Sequence, residues 1–595
     1  MAVVAITTML LVACSVEDNP VYDPVKPDDT PFVERLVPVF DPKGVAQGTV
    51  TLRFYDDMPS VAYVSVSNFQ SLMYPGTTVQ VAKTGSSQYT LSNPFATAYV
   101  DVLKDVFESD DYEAFTNMMG QVQPGMPNTT YDALPIIRWK SMEASPKNVH
   151  VTLDYKRYGI DLRGDETDVY FPFATIADLY ADGFMHMACY NGQTVMVAPQ
   201  GAYSLDNGYP QAFIEPILKE TRTADMADFA YRNLCFTLTE FFGYPGRTLI
   251  EQGGLREKGL DQALQDYGKA GQLTRDLLQS QNMYEFIAGT GTLGCLFDDG
   301  GHTYTDVTAI SQMNKGTAFA SEVAAVYKAK QEEFLGYCPE YNAVSRVLAD
   351  RAAFGKELRK LRSEKMGSAR YYKEGNTAYC VFNSFMCDDS GWRKFYKGEG
   401  PKPTVADYPY DDLIILVDAL EKAENDPEVK NFVLDISTNG GGSSDVVAFV
   451  TSIMCNKADI DYENALTGQR MKCTYEVDRN LDGKFDEKDA EVVYHLNFAV
   501  LTSSYSFSCG NLLPSLLKDY GIPVLGKQSG GGSCCVLFNP SADGFGYRYS
   551  THRCRLVNKN GENIDGGIAP TYELEAADFF NIPKVGQLVE AFYAK

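Results

Sequence analysis

Two strand–turn–helix segments constrain this chain more than anything else in it. Phe432 to Ile436 is a short apolar run that passes into Ser437-Thr438-Asn439-Gly440-Gly441-Gly442, and Asp445 to Cys455 then reads as a helix. About seventy residues later, Leu496 to Leu501 runs into Thr502-Ser503-Ser504-Tyr505-Ser506-Phe507-Ser508-Cys509-Gly510-Asn511, ahead of an amphipathic run from Leu512 to Tyr520. A strand, a tight turn and a helix, met twice, imply βα units and an α/β core. A serine at such a turn exposes its hydroxyl beside helix N-terminal N–H groups, which stabilise negative charge. That suits a nucleophile and an oxyanion hole, although Ser506 or Ser508 can equally serve only as a helix cap. The glycine turn brings bare N–H groups to a strand end, and a phosphate loop is excluded because no Gly-Lys-Ser/Thr follows.

The remainder of the 595 residues exceeds one ordinary core, and two to four domains are expected. Residues 46–210 alternate β-branched and aromatic residues and read as β-rich. Within them, Leu52-Arg53, Tyr63-Val64 and Phe69 can be set beside Leu162-Arg163, Tyr170-Phe171 and Ile176, as two related units. Residues 211–370 turn helical, with examples at Met226 to Phe242, Leu260 to Leu278 and Ala318 to Lys365. They also hold a Gly-rich loop ending in Asp298-Asp299-Gly300-Gly301-His302-Thr303. Residues 371–595 form the α/β core. A net charge of −26 argues against nucleic-acid binding and against electrostatic docking on anionic lipid. The thirteen cysteines include no Cys-x-x-Cys pair, so neither a zinc site nor a disulfide framework is expected.

Ala2 to Val12 is apolar and too short to span a bilayer, but fits a signal-peptide core in residues 1–13. Its ending, Leu11-Val12-Ala13-Cys14, resembles a bacterial lipobox, which implies a lipidated Cys14 as the mature N-terminus. Ser15-Val16-Glu17-Asp18 resembles the acidic stretch of exported Bacteroidetes lipoproteins. The Pro- and Asp-rich residues that follow, within 14–45, read as a tether. A location in the bacterial cell envelope is expected.

The ordered set of core motifs resembles the tail-specific and tricorn-core serine peptidases, whose protease core has a crotonase-like fold. Asp435 to Gly442 is similar to that family's Asp-Leu-Arg-x-Asn-x-Gly-Gly. Ser508-Cys509-Gly510-Asn511 is similar to Ser-Ala-x-Glu, with Asn511 in place of the glutamate. Gly526 to Gly531 and Asp565 to Pro570 are similar to two later family turns. The resemblance implies a serine endopeptidase acting on proteins or peptides, with Ser508 as nucleophile and the N–H groups of Gly441 and Cys509 as oxyanion hole. The processing branch places a lysine about twenty-five residues past the serine, where this chain has Gly531-Gly532-Ser533-Cys534, and Lys527 comes too early. Asp299-Gly300-Gly301-His302-Thr303 resembles the Asp-Gly-His-Thr of the tricorn branch, which makes His302 the base. By position the acid that orients it is Asp565, with Glu562 and Glu573 in reserve. His495 and His552 are weaker candidates. The rival readings are an esterase or amidase with the same nucleophile, and a non-catalytic peptide- or glycan-binding lipoprotein that keeps the fold.

A second pattern is independent of the first. Asp478 to Asp489 reads D-x-N-x-D-G-x-x-x-x-x-D. Calcium takes several hard oxygens around a sharp turn, here Asp478, Asn480, Asp482, the Lys484 carbonyl, Asp486 and Asp489, with Gly483 at the turn. The flanks, Lys472 to Val477 and Val492 to Leu496, read as strands, so a structural calcium staple is expected there.

Overall fold

The computed structural model describes residues 29–41, 43–74, 78–116, 134–181, 186–199, 213, 215–305, 318–387 and 389–595. Cys14 and the first half of the tether, residues 14–28, lie outside them, and its later part is no tether, since Phe32–Phe40 is a strand paired antiparallel with Ala46–Tyr55. Among the described residues no helix is long and apolar enough to cross a membrane.

The core is a six-stranded sheet in which Thr377–Val381, Asn431–Asp435, Asn497–Thr502, Val524–Gly526 and Tyr572–Glu573 run parallel, with Tyr371–Glu374 antiparallel at one edge. Asn431–Asp435 is buried at every position. That is the signature of a parallel strand covered on both faces, and it is why Phe432 to Leu434 carries no alternation. Helices Asp412–Glu424, Ser444–Cys455, Cys509–Asp519 and Ile582–Tyr593 supply the cover. Leu413, Leu416, Leu420, Val446, Val450, Leu513 and Leu516 pack one apolar cluster on one face, while Val585 and Val589 pack another on the other. Each such side chain contributes about 1.5–3 kcal/mol on burial.

The N-terminal half is β-rich, with a seven-stranded and a five-stranded sheet. Two segments in it run as hairpin and helix, first Ala46–Tyr55, Tyr63–Ser65 and Val66–Met73, then Arg163–Gly164, Val169–Pro172 and Phe173–Tyr180. Their short strands pair antiparallel, Phe171 opposite Val64. The Arg53 guanidinium lies 3.7 Å over the Tyr170 ring and that of Arg163 5.9 Å from Tyr63, so each segment clasps the other's tyrosine.

Three local expectations change. Leu260 to Leu278 is two helices, Leu260–Asp266 and Lys269–Leu278, because Gly268 between them takes φ +78°. Val492 to Leu496 is not a strand: a short 3₁₀ turn ends at Glu491 and the strand begins at Asn497. The boundary at residue 371 is crossed by hydrogen-bonded pairing. Ile137–Ser145 from the N-terminal half pairs along Arg470–Val477, and Tyr304–Thr305 pairs with Gly546–Leu556 in that same sheet. A strand with an open edge needs partners for its N–H and C=O groups, and here they come from remote sequence.

Candidate active site

The turns that carry Gly441 and Ser508 lie side by side. Asp435 is in register with Leu501 on neighbouring parallel strands, so both chains turn at the carboxyl end of the sheet, where crevices form. Ser503 Oγ donates to Ser437 O at 2.5 Å, Ser506 Oγ to Ile436 O at 2.8 Å, and Phe507 N–H to Asn439 O at 3.2 Å. The first two serines are therefore spent on the turn. Ser508 is half-buried and immediately precedes helix Cys509–Asp519 without capping it through its side chain. Its backbone stands at φ 57°, ψ −120°, a conformation that costs about 1–3 kcal/mol for a residue with a Cβ and that gathers at functional sites.

Gly441 sits against this serine. At φ +114°, a Cβ there would lie 2.7 Å from Ser508 Cβ and 3.2 Å from Cys509 N, so only glycine fits. The expected pair of oxyanion donors is not equally placed. Gly441 N–H already donates to Asn439 Oδ1 at 2.8 Å. Cys509 N–H, the first amide of the helix, makes no hydrogen bond among the described residues, and it is the donor left to face a developing charge. Asn511 fastens the turns together: it accepts from Ser529 Oγ at 2.6 Å and donates to Ile564 O at 2.9 Å, while Ser529 Oγ takes Ile568 N–H at 2.7 Å.

His302 reaches the site from its Gly-rich loop. Its ring packs on Phe507, the residue before Ser508, at 4.7 Å between centroids. Among the described residues no hydrogen bond joins the His302 ring to Ser508 Oγ. Gly301, the residue before His302, stands at φ +132°, a backbone that favours glycine. Asp565 does not orient the imidazole. Its carboxylate accepts from Ser533 N–H at 2.7 Å, and its Oδ2 lies 2.8 Å from Arg247 Nε, an ion pair off hydrogen-bond alignment. Arg247, which sequence reading missed, takes the charge expected for His302. The carboxylate beside His302 is Asp299. It accepts His302 N–H at 2.8 Å, Thr303 N–H at 3.0 Å, Thr303 Oγ1 at 2.9 Å and Ser550 Oγ at 2.6 Å. Burial opposes its charge, but His302 and these donors outweigh burial and hold its pKa below the usual carboxylate value. His302 is pushed down to about 4, chiefly by burial and further by Arg548, Arg247 and Arg351, against the pull of Asp299. The imidazole is therefore neutral near pH 7, the form a base requires.

The other candidates are elsewhere. Lys527 Nζ is held at the surface by Glu573 at 3.1 Å and Glu575 at 2.9 Å. Glu562 takes Asn558 Nδ2 and Asn558 N–H. His495 is exposed on Glu424, and His552 is buried between Phe241 and Tyr112.

In the 478–489 loop the oxygens serve the loop's own amides. Asp478 accepts from Asp482 and Gly483 N–H, at 3.2 and 2.8 Å, and Asp489 from Arg479 and Asp486 N–H, at 2.8 and 3.0 Å. Asn480, Asp482 and Asp486 likewise accept from amides two residues on. Among the described residues no three His, Cys, Asp or Glu side chains form a group that could hold a metal.

Residues 414–574 match the sequence model of peptidase family S41, a span that contains Ser508, Gly441 and Asp565 and leaves out His302. No curated protein matches the chain. Similar solved structures include the photosystem II D1 C-terminal processing protease, at 18% identity over 35% of this chain and 46% of that one, with TM-score 0.24. A lipoprotein from Streptococcus agalactiae is 14% identical over 39% and 74%, with TM-score 0.27, and the tricorn protease 12% identical over 96% and 59%, with TM-score 0.28. Less than two thirds of the processing protease and of the tricorn protease is spanned. These partial superpositions carry no argument, and the family match alone identifies the domain. This chain carries a peptidase family S41 domain and is a serine-type peptidase.

Proposed function

We propose that the chain is a lipid-anchored serine endopeptidase of the cell envelope in which Ser508 Oγ attacks the scissile carbonyl and His302 takes its proton. The observation that carries this reading is the backbone of Ser508, held at φ 57° against Gly441 at the mouth of two adjacent βα turns. His302 returns the proton to the leaving amine, and water then hydrolyses the acyl-enzyme by the reverse sequence. Cys509 N–H stabilises the oxyanion. The His302–Ser508 hydrogen bond forms as substrate seats, since catalytic contacts are often long without a ligand. A fluorophosphonate probe tests the reading: a single adduct mapped by mass spectrometry to Ser508 is expected. An adduct on Ser506 or Ser533, or none at all, would replace it with another nucleophile or with the non-catalytic binder.

The anchor is a separable part of the proposal. Native protein should enter the detergent phase and Cys14→Ala should not, because one or more acyl chains add about 0.8 kcal/mol per buried CH₂. Equal partitioning of both into water removes the anchor. Calcium is likewise proposed only as a structural ligand of residues 478–489, supported by the residue pattern and by Gly483 at φ +85°. A ligand bound only by the folded state raises the melting temperature by mass action, so excess calcium should raise it over chelator. Identical melting curves would end the calcium proposal.

A further inference from the structure

We propose that Arg351 is a positioning residue of the peptidase, locking the His302 loop to the nucleophile turn through a single guanidinium. The proposal rests on the reading of His302 as the base. Arg351 projects from helix Tyr341–Met366 and opens its fork across two loops. Nη1 donates to Gly300 O at 3.1 Å, two residues before His302, and Nη2 to Gly530 O at 3.0 Å. The Gly530 turn is tied in turn to the nucleophile. Gly530 N–H donates to Ser506 O at 2.7 Å, and Ser508 N–H donates to Gly531 O at 2.9 Å. A Cβ on residue 530 would lie 3.1 Å from the Arg351 Cζ and 2.4 Å from Ser504 O, so glycine is what lets the guanidinium in.

Phe507 is the peg around which the lock closes. Its ring has His302 on one side, the Arg351 guanidinium 5.0 Å from its centroid and that of Arg247 at 5.9 Å. Arg247 shares Gly530 O at 3.3 Å but is paired with Asp565. Arg351 makes no ion pair among the described residues, and its Nε is buried without a hydrogen-bond partner. Its charge is thus spent on two carbonyls and on the field at the imidazole. The other groups that face His302 are Asp299 on its own loop, Arg247 ahead of helix Leu249–Gln252, and Arg548 on strand Gly546–Leu556, which donates to His302 O at 2.9 Å. Removing one cation from this set makes protonation of His302 easier, while removing the fork frees its loop.

Two substitutions separate those effects, read by fluorophosphonate labelling rate against pH on the full chain. Arg351→Met should slow labelling about 100-fold, as loss of alignment does, and move the acid limb up by about one pH unit. Arg351→Lys keeps the charge but cannot bridge both carbonyls, so labelling should slow while the acid limb stays at its wild-type pH. A wild-type rate in either variant overturns the proposal. So does an acid limb in Arg351→Met that coincides with that of Arg351→Lys, because a merely structural arginine would change rate alone. If Arg351→Met fails to fold, the rate and limb of the lysine variant decide. His302→Ala labelling at the wild-type rate is a different failure: it removes His302 as the base.

Discussion

Ser508→Ala should lower peptide turnover and phosphonate labelling by roughly four to six orders of magnitude, the loss seen when a member of a catalytic unit is removed. The fold should not pay for it. Ser508 Oγ makes no hydrogen bond among the described residues, so its deletion strands no partner, and the alanine Cβ keeps the strain of φ 57°. Ser508→Gly extends the test. Glycine adopts this backbone freely, which returns about 1 kcal/mol after its greater freedom in the unfolded chain is counted. The glycine variant should therefore be as inactive as the alanine variant yet unfold at higher denaturant than wild type. A glycine variant that unfolds earlier would mean that the turn, and not the chemistry, needs the serine.

His302→Ala should lose turnover by several orders of magnitude, because nucleophile and base act as a unit. Lys527→Ala should keep most activity, since its ammonium is occupied by Glu573 and Glu575 at the surface. The pH dependence carries more information than the loss. In wild type the acid limb should fall near pH 4 instead of near 6.5, as burial and three arginines disfavour the imidazolium. Stability follows the same shift. The unfolded chain protonates His302 near 6.5 and the folded chain near 4, so as pH falls the unfolded state binds the proton first. The contribution of the neutral ring is whole above about 6.5, declines below it and is gone by about 4, amounting to about 3 kcal/mol. His302→Gln should flatten that part of the stability profile. An acid limb at 6.5 in wild type would show a ring in contact with water, and a variant that keeps full turnover would send the search for the base elsewhere.

What could be read in the sequence was local. The strand–turn–helix pairs around Gly441 and Ser508 needed only neighbouring residues, and both sit on adjacent strands at the same end of the sheet. Gly268 also carried its message, a break that a longer apolar period concealed. The surroundings of His302 were not legible. Arg247 and Arg351 come from segments about fifty residues away on either side, and no spacing rule links an arginine to a carbonyl oxygen. Asp565 was placed by motif, but a motif does not reveal that an arginine will reach its carboxylate first. In the 478–489 loop the pattern located the turn, while the direction of its carboxylates depended on which amides the turn left exposed.

The sheet that runs from Tyr304–Thr305 through Gly546–Leu556, Asp459–Glu463 and Arg470–Val477 to Ile137–Ser145 sets a limit on modularity. The span recognisable as a peptidase cannot be lifted out of this chain. Cutting at residue 371 would strip Arg470–Val477 of its neighbour along eight paired positions and Gly546–Leu556 of the strand that carries the end of the His302 loop. Two bare edges would then face solvent, and such edges recruit one another. The N-terminal half, which supplies the partner of Arg470–Val477, is thus as much a condition of the active site's existence as the serine within it.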